Sequence, residues 1–425
     1  MRKRKSNIFR GVDWILILFY LIFIFLGWIS IYAASFSDIQ FEILDFSSKY
    51  GKQLIWIMLS IVLIIIILAI DKKFYENFSG VIYIISILSL VGLFIFGKNI
   101  NGATSWYSFS TFGIQPSEFA KAATALAMAN FLNERNQDLK KLPNQLKSFG
   151  IIFLPALLIT LQPDPGSALV YGSLILVLYR FGLPLYYLII GMIAVILFIL
   201  TLYFGYLNTL IITAILITLF IAYLHYKNKK IIRHQWMRFL AIYFFTAIFI
   251  FSVDYVFNSI FEQRHRDRFN ILLGKNVDTQ GIGYNTDQSV ITISSGGFSG
   301  KGFLQGDRTQ GNFVPEQQTD YIYSTVGEEW GFLGSSLVVI LFVAFLFRLL
   351  FIAERQKSIF TKVYAYATFA IFLFHFTINI GMVLGLLPTI GIPLPFFSYG
   401  GSSLWGFTIL LFILVRLDAD RIYEW

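Results

Sequence analysis

The chain has 425 residues, of which 57% are hydrophobic and only 13% are charged. This composition excludes an ordinary soluble globular protein and indicates an integral membrane protein. In a soluble protein the formal net charge of +9 would suggest a nucleic-acid partner. In a membrane protein, basic residues first indicate which loops are cytoplasmic, so no nucleic-acid partner is expected. Cysteine is absent and the four histidines are scattered, which argues against disulfides and against a histidine metal cluster.

Twelve apolar segments are candidate membrane spans, and the fifth and sixth of them are short for crossing a bilayer. In chain order they are residues 14–34, 53–70, 80–96, 116–132, 149–161, 167–181, 184–204, 209–224, 237–257, 323–347, 363–387 and 397–415. We therefore predict an all-α polytopic membrane protein with a single integral membrane domain over residues 1–425. The helical bundle should contain about 10 to 12 transmembrane helices.

The distribution of basic residues predicts the orientation. With the N-terminus in the cytoplasm, 23 of the 33 Lys and Arg residues fall in cytoplasmic segments, as the positive-inside rule requires. Both termini are then cytoplasmic, and the long hydrophilic segment 259–320 is extracytoplasmic. Its mixed charges, glycines and short apolar patches indicate a large folded loop at the membrane surface. We expect the chemistry of the protein to take place there.

The fourth candidate span begins with the motif QPSEFAK, residues 115–121. Glu118 and Lys121 are three residues apart, so both face one side of the helix. An ionisable pair inside a membrane segment usually faces a cavity or the bundle interior. The alternative is a capping acid with a snorkelling lysine. Because Lys121 lies more than one turn inside the span, we expect the pair to line a polar cavity.

Proline and glycine break a second intramembrane segment, QPDPG at residues 162–166. Asp164 is placed either to cap the sixth helix or to contact a substrate, and the two interpretations have equal support.

Two stretches of the large loop carry candidate functional residues. Asp278 lies in VDTQGIGY, shortly before Gly281 and Gly283. A carboxylate in a glycine-rich turn could act as a general base, although on spacing alone a turn-capping role is favoured. The motif SGGFSGKG at residues 295–302 offers backbone N–H groups and Lys301 as ligands for an anion such as a diphosphate.

Near the C-terminus, residues 379–403 read NIGMVLGLLPTIGIPLPFFSYGGSS. Gly381 and Gly385 form a small-xxx-small face for close helix packing, and prolines break the helix before a polar turn. Packing explains most of this segment. Ser398 and Tyr399, in the polar turn, are retained as candidate substrate-binding residues.

Taken together, these motifs resemble the SEDS family (shape, elongation, division and sporulation). The resemblance covers nearly the whole chain, with the motifs in the family's order. The motifs GKGFLQG and PEQQTD are more similar to those of elongation members than to those of division members. It implies a peptidoglycan glycosyltransferase in the cytoplasmic (inner) membrane of a bacterium, which polymerises lipid II at the outer face and releases polyprenyl diphosphate. The implied partners are a class B penicillin-binding protein, acting as transpeptidase, and other membrane proteins of the elongation complex.

The resemblance also implies roles for individual residues. Asp278 matches the family's essential aspartate and would be the general base, and Glu118 and Lys121 match polar residues that line the family's central cavity. Positive charge for the leaving diphosphate would come from Lys121, Arg268, Lys301 or a divalent cation, Mg²⁺ or Mn²⁺, and no other cofactor is expected. Because family members usually have ten spans, the segment 205–258 is interpreted as a two-helix insertion.

Two rival functions remain open. A lipid II flippase or transporter would use buried Glu118 and Lys121 and the broken helices as its substrate path. A non-catalytic membrane scaffold would instead recruit cell-wall enzymes.

Overall fold

A computed structural model describes residues 11–36, 45–100, 102–109, 112–134, 137–227, 229–261, 263–274 and 282–423. The predicted general base, Asp278, and its neighbour Gly281 lie outside these residues. The chain forms two compact units, which are described separately. The first comprises Met1–Leu183 and Tyr284–Trp425, and the second comprises Pro184–Gly283.

The secondary structure is almost entirely helical. In chain order the elements are α1 (Trp14–Ser35), α2 (Lys49–Ala69), α3 (Lys72–Phe96), β1 (Lys98–Ile100), β2 (Ala103–Phe109), β3 (Phe112–Ile114), α4 (Pro116–Asn133), α5 (Leu142–Thr160), α6 (Pro165–Val170), α7 (Leu174–Arg180), α8 (Tyr186–Phe204), α9 (Tyr206–Lys227), α10 (Lys229–Tyr255), α11 (Gln263–Leu272), α12 (Ile282–Ser295), α13 (Asp307–Gln310), α14 (Ile322–Arg355), α15 (Ile359–Val383) and α16 (Gly401–Ala419). Short 3₁₀ turns cover Tyr171–Ser173 and Asp420–Tyr423, and α10 continues into a π turn, Val256–Ile260. The described part of the large loop therefore contains three helices, α11 to α13.

Ten helices of the described residues are long and apolar enough to cross a membrane: α1, α2, α3, α5, α8, α9, α10, α14, α15 and α16. This confirms the prediction of an all-α polytopic membrane protein. The other two candidate spans, the fourth and the sixth, are not among these ten helices. Helix α4 is rich in alanine and is buried along nearly its whole length, because it packs against α3, α5, α15 and α16. The sixth candidate is broken into α6, a 3₁₀ turn and α7.

Strands β1, β2 and β3 form a small antiparallel sheet in that order, which was not predicted. The hydroxyl of Tyr107 donates to the carbonyl of Ser89 on α3 at 2.8 Å, and the N–H of Thr104 donates to the carbonyl of Gln162 at 3.1 Å. The sheet is thereby tied both to α3 and to the break before α6. Strands β1 and β3 have three residues each, which is too few for alternation to indicate a strand.

Acidic and basic side chains form one ion-pair network at the end of the first unit where α1 begins. Asp13 accepts hydrogen bonds from Nη2 of Arg348 at 2.6 Å and from Nη2 of Arg355 at 2.8 Å. Arg355 also contacts the fully buried Asp418, which accepts from Nη1 of Arg421 at 2.5 Å. The network joins the N-terminus of α1 to the C-terminal ends of α14 and α16.

We expect Asp13→Asn to lower thermal stability near neutral pH, by about 1.5–3 kcal/mol for the charge-assisted bonds lost. Burial raises the pKa of Asp13, but hydrogen bonds and charge from Arg348 outweigh it and hold the pKa below its usual value. The stabilisation is therefore complete above the unfolded pKa of about 3.9 and is lost as pH falls through the folded pKa. Thermal unfolding of both proteins across acidic pH tests this. Equal pH dependence of the two midpoints would contradict it.

The second unit has its own apolar core. Leu202 of α8 packs with Val253 and Phe257, and Phe198 of α8 meets Phe269 of α11 with ring centroids 5.4 Å apart. Helices α9 and α10 pack as a hairpin. They occupy most of the segment 205–258, and its interpretation as a two-helix insertion stays a prediction.

Candidate functional site

Three distant motifs meet at the end of the first unit opposite the Asp13 network. The N–H of Gln115 donates to the hydroxyl of Ser402 at 3.2 Å, and the amide of Gln115 donates to Asp164 Oδ2 at 3.0 Å. The hydroxyl of Ser402 donates in turn to the carbonyl of Gly113 at 3.0 Å. The starts of α4, α6 and α16 are therefore held together by side chains of QPSEFAK, QPDPG and FSYGGSS. We call this end of the first unit the motif end.

Asp164 has the capping role. Its Oδ1 accepts the N–H of Ser167 at 3.1 Å, which caps α6, while its Oδ2 accepts from Gln115. Both carboxylate oxygens thus have protein partners, as expected for a structural residue at a helix N-terminus.

The segment before α14 and the segment before α16 also meet at the motif end. The N–H of Tyr399 donates to the carbonyl of Gln318 at 2.9 Å. The buried amide of Asn379 donates to the carbonyls of Asp320 and Ile392, both at 2.8 Å. Asn379 therefore fixes two irregular chain segments against α15, which explains why an amide lies inside that helix.

Glu118 and Lys121 form a buried ion pair with a third partner. Lys121 Nζ donates to Glu118 Oε2 at 2.8 Å and lies 3.0 Å from Nε2 of His375. Nδ1 of His375 is 3.2 Å from the carbonyl of Pro393. This arrangement is satisfied when Nδ1 carries the imidazole proton and donates to Pro393, which leaves Nε2 as the acceptor for the Lys121 ammonium.

The open cavity expected around this pair is absent from the described structure. The side chains of Lys121 and Glu118 are only 2% and 4% exposed, so they face packed protein. Phe407 covers the ammonium, with its ring centroid 4.6 Å from Lys121 Nζ. The expectation of a polar cavity is therefore wrong for this conformation, because His375 and Phe407 fill the space. The substrate-binding role of the pair stays a prediction.

A second buried carboxylate organises the loop that precedes α14. Glu328 accepts Lys301 Nζ at 2.7 Å and the N–H of Arg308 at 3.1 Å on Oε1. Its Oε2 accepts the N–H and the hydroxyl of Thr309, at 2.8 and 2.7 Å, and Ser295 supplies a fifth donor. One carboxylate on α14 thus connects the end of α12, the glycine-rich segment and α13.

Two glycines allow the glycine-rich segment to lie against α14. Gly331 interrupts α14 at φ 62° and ψ −159°, where an L side chain is strained. A Cβ on Gly300 would stand 2.1 Å from the carbonyl oxygen of Glu329, so a side chain is excluded there. The N–H of Phe332 beyond the break donates to the carbonyl of Gly297 at 2.9 Å.

The prediction that residues 295–302 present donors to an anion is not met in this conformation. The N–H groups of Lys301 and Gly302 donate to the carbonyls of Glu328 and Glu329, both at 3.0 Å. Lys301 Nζ contacts Glu328 and also Asp307, at 3.1 Å. The hydrogen bond with Glu328 raises the pKa of Lys301. Lys301 is therefore a charged structural residue here, and its charge is already balanced.

We expect Glu328→Gln to destabilise the protein by about 1.5–3 kcal/mol, because hydrogen bonds to a charged group are among the stronger ones. The matched control is Glu329→Gln. That neighbour is equally buried but accepts one N–H, from Leu304 at 3.1 Å, and its Oε2 has no hydrogen-bond partner among the residues that the structure describes. Thermal unfolding midpoints of both variants provide the comparison. A loss at Glu329→Gln as large as that at Glu328→Gln would contradict the assignment of Glu328 as the organising carboxylate.

The remaining candidates have different surroundings. Ser398 is buried, and its hydroxyl accepts the N–H of Leu394 at 2.9 Å, which is a turn-stabilising contact. Tyr399 is partly exposed, and burial raises its pKa. Arg268 lies in α11 of the second unit and is partly buried. Substrate binding by these three residues stays a prediction, as does the role of Asp278, which the structure does not describe.

The described residues contain no group of three or more His, Asp or Glu side chains that could hold a metal ion.

Sequence reasoning missed two participants, His375 and Glu328. His375 is 254 positions from Lys121, so no local pattern connects them. Glu328 had a visible signal, because the adjacent pair Glu328–Glu329 lies at the start of an apolar span and buried acids need partners.

Comparisons with known proteins agree with this architecture. The FtsW/RodA/SpoVE family model, described as cell cycle protein, matches residues 13–210 and 207–423. Peptidoglycan glycosyltransferase RodA of Treponema pallidum (strain Nichols) is 33% identical over 447 residues, which cover 97% of this chain and 99% of RodA. Peptidoglycan glycosyltransferase MrdB of Escherichia coli (strain K12) is 33% identical over 82% of this chain and 80% of MrdB.

Solved structures show the same fold. A chain from a peptidoglycan synthase complex that coordinates polymerization and crosslinking has a TM-score of 0.70 at 23% identity. Rod shape determining protein RodA of Thermus thermophilus has a TM-score of 0.61 at 20% identity, and both alignments cover 97% of this chain and 98% of the other. Since the family model spans nearly the whole sequence and two relatives reach 33% identity, the chain belongs to the FtsW/RodA/SpoVE family, the SEDS proteins.

Proposed function

We propose that this chain is a peptidoglycan glycosyltransferase that polymerises lipid II into glycan strands during cell elongation. The observation that carries the proposal is the meeting of Gln115, Asp164 and Ser402, which brings three family motifs to one end of the first unit. The peptidoglycan glycosyltransferases RodA and MrdB, similar over most of this chain, supply the reaction class. The positive-inside distribution supports an extracytoplasmic location for the motif end.

In the proposed reaction, a sugar hydroxyl of one lipid-linked disaccharide attacks the anomeric carbon of another. A new glycosidic C–O bond forms while the bond from the anomeric carbon to the diphosphate breaks, and polyprenyl diphosphate leaves. Asp278 accepts the hydroxyl proton as general base. In sequence it precedes α12 by four residues, and Ser289 of α12 donates to the carbonyl of Val383 at 2.9 Å at the motif end.

The leaving diphosphate requires positive charge more than it requires a proton donor. Lys301 is committed to Glu328 and Asp307, and Lys121 is committed to Glu118. Arg268 of α11 and a divalent cation, Mg²⁺ or Mn²⁺, are the other candidate sources of charge. A single carboxylate base is consistent with inversion at the anomeric carbon.

The proposed partner is a class B penicillin-binding protein that crosslinks the product, together with other membrane proteins of the elongation complex. The structural neighbour taken from a peptidoglycan synthase complex, in which polymerization and crosslinking are coordinated, supports this pairing.

Purified protein incubated with labelled lipid II tests the proposal, with and without a divalent cation and with and without the transpeptidase. We expect glycan strands longer than the starting disaccharide. Transfer of lipid II between leaflets without strand growth would instead identify a flippase. If neither growth nor transfer occurs even with the partner, the scaffold function replaces the proposal.

A further inference from the structure

An apolar groove lies between α1 and α14 of the first unit, where these two helices pack against each other. Its volume is about 610 Å³, which is within the range of small-molecule sites, about 300–1,000 Å³. Ile15 of α1 and Phe347 and Phe351 of α14 line the groove, and all three side chains are exposed. Because both helices are candidate membrane spans, the groove opens toward the acyl chains of the bilayer.

The length of the groove matches one leaflet of a membrane. Along α14 its lining extends from Ala344 to Glu354, which corresponds to about 15 Å of helix. The hydrocarbon core of a bilayer is about 30 Å thick, and a helix that crosses it needs about 20 residues. The groove is therefore long enough for the acyl chain of a lipid and too short to accommodate a complete transmembrane helix of a partner.

The polar end of the groove lies at the level of the membrane surface. Asp13 is the N-cap of α1, whose candidate span begins at Trp14. The side chain of Trp14 is 59% exposed, and tryptophan at the end of a span settles at the level of the lipid headgroups. Arg348 lines the groove and contacts Asp13 through Nε at 3.2 Å and Nη2 at 2.6 Å. The guanidinium is therefore at headgroup level, on the predicted cytoplasmic side.

The ion-pair network around Asp13 contains more positive than negative charge. Three arginines, Arg348, Arg355 and Arg421, share two carboxylates, those of Asp13 and Asp418. Arg348 uses Nε and Nη2 for Asp13, and its Nη1 donates to none of the residues that the structure describes. The side chain of Arg348 is 24% exposed. One positive charge in the network is therefore left for an external anion, and Arg348 has N–H donors for it.

Glu354, the acidic residue in the described lining of the groove, does not cancel this charge. It pairs with Arg180 at 3.0 Å and with Lys362 at 3.2 Å, so two cations already face one carboxylate. A headgroup at this end of the groove therefore meets a net positive charge.

We propose that the α1–α14 groove binds an anionic phospholipid, with an acyl chain along Phe347 and Phe351 and the headgroup phosphate on Arg348. Basic pockets between membrane helices on the cytoplasmic side bind anionic headgroups, and a guanidinium presents several N–H donors to phosphate oxygens. The ring of Phe351 supports the guanidinium, with its centroid 5.1 Å from Arg348 Cζ. This site contains none of the residues assigned to glycosyl transfer, so it is independent of the proposed function.

Native mass spectrometry of the purified full-length protein tests this site, with equal amounts of phosphatidylglycerol and phosphatidylethanolamine supplied in detergent. We expect the wild type to retain phosphatidylglycerol preferentially, and higher ionic strength to weaken the preference. R348Q should lower the preference about fivefold, the contribution of one basic residue near a membrane surface, whereas R348K should keep most of it. The matched control is K147Q, which removes one exposed positive charge from α5 and should leave the preference unchanged.

Two further variants decide the question even if R348Q destabilises the protein through its lost contacts with Asp13. A344W fills the apolar part of the groove without changing any charge and should lower lipid retention, whereas L337W places the same side chain on α14 outside the described lining and should not. D13N removes the carboxylate beside Arg348 and should raise the preference for phosphatidylglycerol, an effect opposite in sign to that of unfolding.

Three results would overturn the assignment of this site. The first is an equal loss of preference in R348Q and K147Q, and the second is equal retention of phosphatidylglycerol by A344W and L337W. The third is a wild type that retains both lipids equally, which would leave the groove to a different occupant, such as part of a partner's membrane helix.

Discussion

Asp278→Asn is expected to lower the rate of lipid II polymerisation by about 10²- to 10⁴-fold, the usual contribution of a general base. Asparagine has nearly the same shape as aspartate but cannot accept the proton of the attacking hydroxyl. The protein should fold normally, because the change removes a charge from a hydrophilic loop and leaves the spans intact. Initial rates of strand growth with purified protein measure the effect.

Asp287→Asn is the matched control. Asp287 lies nine positions later in the same loop and is exposed on α12, so the control makes the same chemical change without touching the proposed base. We expect it to polymerise at nearly the wild-type rate. A folded Asp278→Asn variant with wild-type activity would disprove the base assignment, while leaving family membership unaffected.

The spans were predictable because hydropathy alone places an apolar helix in a bilayer. The predicted ends of the spans were less accurate. Helix α5 begins at Leu142, seven positions before the predicted start, because its first two turns are polar and apolar periodicity does not report them. Helix α4 was predicted as one more span, yet its alanines serve close packing on nearly every side.

In the candidate site, too, contacts between sequence neighbours were predictable, whereas contacts that depend on tertiary packing were not. The i,i+3 spacing predicted that Glu118 and Lys121 share a helix face, and their 2.8 Å contact confirms it. The partner across the bundle, His375, depends on the packing of α4 against α15 and leaves no local trace. The partner of Lys301, Glu328, is 27 positions away in sequence, so no local pattern connects the two residues. Anion binding by Lys301 stays a prediction.

Replacing the cation of the buried pair, Lys121→Met, is expected to cost about 3–5 kcal/mol of stability, since removing one partner leaves a buried charge uncompensated. Methionine also forfeits the contact over the Phe407 ring and leaves His375 Nε2 without its donor. The double variant Glu118→Gln/Lys121→Met removes both charges and should recover most of the loss. Thermal unfolding midpoints of the purified proteins measure the difference.

The comparison for this pair is Lys72→Met, which breaks an i,i+4 pair with Glu76 at 3.5 Å, whose side chains are 11% (Lys72) and 30% (Glu76) exposed. Because the ionic groups of that pair are farther apart and Glu76 is partly exposed, the ion pair itself is expected to contribute only about 0.3–0.5 kcal/mol. Equal unfolding midpoints for Lys121→Met and the wild type would contradict this prediction, because the Glu118 carboxylate would then be stable without the Lys121 ammonium. The double variant also separates folding from function. If it folds and polymerises lipid II at the wild-type rate, Glu118 and Lys121 stabilise the bundle and do not bind substrate.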